Sequence, residues 1–85
     1  MPYIDKAIRA SLEDGRKATK PGELNFLISE LVDNYLMGRG VSYTSLNEVI
    51  GVLACVQAEI YRRVAAPYED KKQSENGDVF KSVSR

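Results

Sequence analysis

Eighty-five residues suffice for one small domain, and a chain this short buries only about 60–65% of the surface it exposes when unfolded. Its single cysteine, Cys55, excludes an internal disulfide, and the absence of histidine leaves no zinc-ligand spacing. Twelve basic residues against twelve acidic ones give zero net charge, which argues against nucleic-acid binding, where phosphate neutralisation supplies most of the affinity.

The first element is a short helix over Asp5 to Asp14. Ile4, Ala7 or Ile8, and Leu12 recur at helical spacing, and Gly15 can end it. Arg16-Lys17-Ala18-Thr19-Lys20 reads as a basic, solvated loop, or else as an anion contact.

A second helix is predicted from Gly22 to Gly38. Pro21 suits a first helical turn, where its missing N–H has no partner to lose, and Glu23 suits the positive end of the helix dipole. Leu24, Leu27, Ile28, Leu31 and Tyr35 form one apolar stripe. Gly38 and Gly40 end the helix, with Arg39 in its last turn.

Val41 to Thr44 is a linker into a capping box at Ser45-x-x-Glu48. Leu46, Val49, Leu53, Val56 and Ile60 then repeat at three- and four-residue steps, the spacing of a helix seam. Beside them runs a stripe of small residues, Gly51, Ala54, Ala58 and Ala65, flanked by Ile50 and Tyr61. The first two helices are too modest to cover both faces. The sequence therefore predicts that Leu46, Val49, Leu53, Val56 and Ile60 form an interface between copies of the chain.

Pro67 costs a helix interior roughly 3 kcal/mol, so either a kink or a new helical piece is expected there. Pro67-Tyr68-Glu69-Asp70 reads as an opening turn, and Asn76-Gly77 as a stop. Residues 1–80 are thus expected to form a single helical domain and 81–85 a short flexible tail. The predicted class is all-α: a small helical hairpin or bundle with one long C-terminal helix, assembled as a homo-oligomer.

Catalysis is poorly served. Without histidine, a base near neutral pH must be a shifted carboxylate, Lys or Tyr. No phosphate-cradling loop or nucleophile motif is present, and Cys55 reads as an inert packing residue. A non-enzyme without catalytic residues, metal or cofactor is expected. Arg62 and Arg63, about one turn before Tyr68, form the most specific binding candidate, because guanidinium groups suit phosphate and an aromatic ring can stack on a base. The alternative is that the two arginines pair with Glu59 and Glu69 on the surface. Tyr43, Thr44 and Asn47 cluster where the third helix opens, and free N–H groups there bind anions. Arg16, Lys17 and Lys20, with the arginine pair, are what a nucleic-acid accessory role would use.

The chain resembles a family of very small phage and prophage proteins described as a domain of unknown function. The resemblance rests on Pro2-Tyr3-Ile4, Gly22-Glu23-Leu24, Tyr43-Thr44-Ser45-Leu46-Asn47, and the block from Tyr61-Arg62-Arg63 through Pro67-Tyr68-Glu69-Asp70-Lys71-Lys72 to Glu75-Asn76-Gly77-Asp78. It implies an all-helical protein of phage origin. The long helix with its Arg, acid pair and terminal Gly also resembles the helical part of phage anti-defence sponges, helical oligomers that sequester cyclic-nucleotide or cyclic ADP-ribose immune signals between subunits. That likeness implies a ligand held by Arg62, Arg63 and Tyr68. The expected function is sequestration of such a small anionic nucleotide. The alternative is a protein–protein interaction module, a phage adaptor or inhibitor of a host protein. No apolar run is long enough to span a membrane and no export signal opens the chain, so a cytoplasmic location is expected.

Overall fold

The computed structural model describes residues 1–83 and is all-helical, with no strand among them. Helix α1 spans Lys6–Glu13, α2 Pro21–Arg39 and α3 Tyr43–Ile60. A π-helical turn, Tyr61–Ala65, joins α3 to α4, Ala66–Asn76, so that the C-terminal helix is about 34 residues long. The chain packs as two compact units, Met1–Val49 and the remainder from Ile50 onward.

In the first unit, Asp5 caps α1 by accepting a hydrogen bond from the Ala7 N–H at 2.7 Å. Leu12 carries the burial of α1, at 3% exposure. Arg9 spans from α1 to α2, its guanidinium 5.4 Å from the centre of the Phe26 ring. The N-terminal segment lies close over the start of α2. A Cβ at Gly22 would sit 3.2 Å from both Ile4 Cγ2 and the Met1 carbonyl oxygen, so only glycine fits without displacing them.

Helix α2 ends at Gly40 (φ 87°), whose N–H donates to the Leu36 carbonyl at 2.7 Å. Gly38 lies inside the helix. The predicted apolar stripe of α2 is mostly uncovered: Leu24, Ile28, Leu31 and Tyr35 are all exposed. The reason is length, since α1 has only eight residues to lay against a nineteen-residue helix.

Helix α3 starts earlier than its spacing suggested, because the cap is Ser42 and not Ser45. Ser45 N–H donates to Ser42 Oγ at 3.1 Å, and Ser42 N–H donates to Ser45 Oγ at 2.9 Å. This is a capping box built from two serines. Ser45 is 1% exposed, and its hydroxyl donates to the Gly40 carbonyl at 2.7 Å.

In the second unit the proline is absorbed without a break. Pro67 has no N–H to offer the Arg63 carbonyl, and in a regular helix its ring would press against that oxygen. The turn before it widens, and the Ala66 N–H reaches back five residues to the Tyr61 carbonyl. The widening also sets side-chain register. In an unbroken α-helix, residues eight apart sit roughly 80° around the axis from each other. The extra residue in the wide turn cancels most of that offset, and the Tyr61 hydroxyl donates to Glu69 at 2.9 Å. Helix α4 stops at Gly77, whose N–H donates to the Gln73 carbonyl. Of the expected tail at 81–85, Lys81–Val83 form a turn, and the last two residues lie outside the described residues.

Candidate functional site

The second unit holds the arginine pair on the π turn. Arg62 Nη2 donates to both carboxylate oxygens of Glu59, at 2.8 and 3.0 Å, one helical turn back. Both partners are exposed, so this ion pair adds little to stability and gives way readily to another anion. Arg63 makes no hydrogen bond or ion pair to the described residues. Glu69, the other carboxylate expected for the pair, is taken by Tyr61, and this hydrogen bond raises the Tyr61 pKa. Tyr68 is exposed and carries the Lys72 ammonium 5.6 Å from its ring centre.

Two depressions lie in this unit. One, of about 620 Å³, runs past Tyr61, Glu69, Lys72, Asn76 and Phe80. The other, of about 390 Å³, follows the small-residue stripe and is lined by Ala54, Gln57, Ala58, Ile60, Tyr61 and Ala65. Of the five predicted interface residues, Leu46, Leu53, Val56 and Ile60 are exposed within the single chain, whereas Val49 is buried. Cys55, expected to be packed, is exposed as well.

Tyr43, Thr44 and Asn47 belong to the first unit and are exposed at the opening of α3. The serine capping box already uses the Ser45 N–H of that turn, which leaves fewer free donors for an anion than an uncapped terminus offers.

Sequence reasoning missed two polar clusters in the first unit. Arg39 grips Glu48 with two parallel bonds, Nε to Oε1 at 2.9 Å and Nη2 to Oε2 at 2.7 Å, and the Tyr35 hydroxyl adds a third at 2.8 Å. These bonds hold Glu48 at a pKa of about 2, and the carboxylate in turn raises the Tyr35 pKa. The second cluster surrounds Glu23, which is buried. Its Oε1 accepts from the Thr19 N–H at 3.0 Å, the Thr19 hydroxyl at 3.3 Å and Arg16 Nη1 at 3.3 Å. The Thr19 N–H, then Arg16, lowers its pKa. The basic loop thus does contact an anion, and the anion is the chain's own. The spacing Arg16-x-x-Thr19-x-x-x-Glu23 was the available signal.

These shifts give a pH dependence. Glu48 and Glu23 have folded-state pKa values below the ordinary 4.5, so their contribution is complete above that value and is lost as pH falls through the lowered ones, down to about pH 2 for Glu48. Glu30 runs the other way. A hydrogen bond with Glu13 raises its pKa, and its contribution is complete below 4.5 and lost as pH rises through the raised value. Acid unfolding monitored by helicity should therefore set in below pH 4.5, and Glu48→Gln should flatten that limb. Glu30→Gln should leave the acid limb in place and raise stability at neutral pH.

Among the described residues no group of three or more His, Cys, Asp or Glu side chains is arranged to hold a metal ion, and no helix is long and apolar enough to cross a membrane. The model of one family, Domain of unknown function (DUF6899), matches residues 1–79. The chain belongs to that family. Its match runs through both units, from the N-terminal segment packed over α2 to the residues just after α4. No curated protein and no solved structure matches the chain.

Proposed function

We propose that the chain is a non-enzymatic binding protein that works as an assembly of its own copies and holds a small anionic nucleotide beside the arginine pair. One observation carries the reading. Along the second unit's helix, the apolar side chains Ile50, Val52, Leu53, Val56, Ile60 and Val64 are all exposed within the single chain. Monomeric proteins rarely leave so continuous an apolar surface in water. The same helix presents Arg63 without a partner among the described residues, Arg62 in an exposed and readily exchanged pair, and Tyr68 as a stacking surface. The resemblance to phage sponges supports cyclic-nucleotide or cyclic ADP-ribose signals as the ligand class, a phage origin and action in the host cytoplasm.

The test is thermal unfolding of the purified protein with cyclic di- and trinucleotides and cyclic ADP-ribose variants. A ligand at a hundred times its Kd should stabilise by about 2.7 kcal/mol, and Arg62→Ala with Arg63→Ala should remove the shift while leaving helicity intact. No shift with any of these ligands at millimolar concentration would overturn the nucleotide assignment. The exposed stripe on α2, Leu24, Ile28, Leu31 and Tyr35, favours a second reading, an adaptor that docks a host protein on that face. In that case a stoichiometric protein partner binds with no nucleotide present, and Leu31→Asp abolishes it.

A further inference from the structure

We infer that Pro67 is a positioning residue for the arginine pair: the wide turn it imposes hands Glu69 to Tyr61 and so keeps that carboxylate away from Arg62. The inference rests on the anion site proposed above and names what keeps that site from being neutralised by its own chain.

A regular helix would use the same residues differently. Seven residues amount to 700°, so Arg62 and Glu69 would lie roughly 20° apart around the axis and about 10 Å along it, within the combined reach of an arginine and a glutamate. Tyr61 would stand roughly 80° from Glu69, off its face. Glu59 and Glu69 would then bracket the pair, two carboxylates against two guanidinium groups, with no charge left for a ligand.

The wide turn exchanges these neighbours. Pro67 offers the Arg63 carbonyl no N–H, and the Ala66 N–H reaches back to the Tyr61 carbonyl. The added residue takes roughly 100° out of the rotation between Tyr61 and Glu69, and most of that out of the rotation between Arg62 and Glu69. Tyr61 comes onto the face of Glu69, where its hydroxyl donates at 2.9 Å, and Arg62 leaves that face. Arg62 is left with Glu59, at 2.8 Å, and Arg63 has no partner among the described residues. Two guanidinium groups thus share one carboxylate, and one positive charge remains for an anion. A π turn is rare in helices and frequent at functional sites, and this one sits on the arginine pair.

The full chain with Pro67→Ala tests this. Alanine supplies the missing N–H and lets the helix run regular, and circular dichroism should show no loss of helicity. An NMR titration of the Tyr61 ring should show its raised pKa falling back toward the ordinary value, because Glu69 no longer accepts from the hydroxyl. Calorimetric titration with inorganic pyrophosphate should show binding about fivefold weaker than in the parent chain, the scale of one exposed ion pair. Adding Glu69→Gln to Pro67→Ala should restore the affinity, since the regular helix then has no carboxylate to set against Arg62. Glu69→Gln alone should change the parent's affinity by less than about twofold, because there Glu69 already faces Tyr61. This difference separates the role of Pro67 from a general loosening of the helix, which Glu69→Gln does not repair, and from the mere removal of a negative charge, which acts equally in both backgrounds. An unchanged Tyr61 titration, an unchanged affinity in Pro67→Ala, or an equal effect of Glu69→Gln in both backgrounds overturns the inference while the anion site stands. A parent chain that binds no pyrophosphate overturns the site and the inference together.

Discussion

Leu12→Ala should destabilise the first unit by about 3 kcal/mol, the middle of the range for emptying a buried leucine site. The size follows from how little is buried. Among the described residues only Leu12 and Val49 are large apolar side chains sealed from water. Leu12 is also the one residue of α1 that is fully covered, so its side chain anchors the eight-residue helix to the rest of the unit. Removing it leaves a void that α1 cannot close while Arg9 holds it against Phe26 of α2. For a chain of this size the loss corresponds to a fall in Tm of roughly 12–24 °C. Urea unfolding followed by circular dichroism measures it. Met37→Ala is the control, because Met37 is exposed and its truncation should cost no more than about 0.5 kcal/mol. Equal losses in the two variants would mean that burial within the chain is not what holds α1.

The helices were legible because their signals are local. The proline at the start of α2, the glycines at Gly40 and Gly77, and the four-residue recurrence of apolar side chains each act within one turn. The π turn was not legible in form, although Pro67 marked its place, because a proline can be absorbed by a kink, a break or a wide turn, and these share one sequence. The sequence pattern puts the cap of α3 three residues late because Ser42 and Ser45 are the same residue type and only Glu48 distinguishes the alternatives. Glu48 points instead to Arg39 and Tyr35, nine and thirteen residues upstream, a pairing fixed by how α2 and α3 approach one another. Glu23 reads as a dipole partner for a related reason. Its burial depends on the loop folding back over it, which no periodicity encodes. On the binding side, the Arg62–Glu59 pair was legible because it spans one helical turn, while the freedom of Arg63 followed only once Tyr61 was seen to occupy Glu69.

The misplaced cap also yields a sharp expectation: Ser45→Val should destabilise α3 by about 1–3 kcal/mol although it adds apolar volume at a buried site. Valine fills the space but supplies neither lone pair nor proton. The Ser42 N–H loses its acceptor, and the Gly40 carbonyl loses the 2.7 Å bond that ties the end of α2 to the start of α3. The Ser42 Oγ still caps the residue-45 N–H, so the loss is that of two part-buried hydrogen bonds, each worth about 0.5–1.5 kcal/mol. The hydrophobic gain of two methyl groups does not offset those losses, because at 1% exposure the site has no slack to admit a water in place of the hydroxyl. Ser45→Thr keeps the hydroxyl and should recover most of the stability. The reverse prediction applies to Glu48→Gln at neutral pH, which should leave the start of α3 intact, since Glu48 caps nothing. Amide hydrogen exchange separates the cases. Ser45→Val should speed exchange at Ser42 and through the first turn of α3, while Glu48→Gln should leave those amides as protected as before. If Glu48→Gln were the variant to unravel that turn, the capping box would have to be Ser45-x-x-Glu48 after all, and the two-serine arrangement would be wrong.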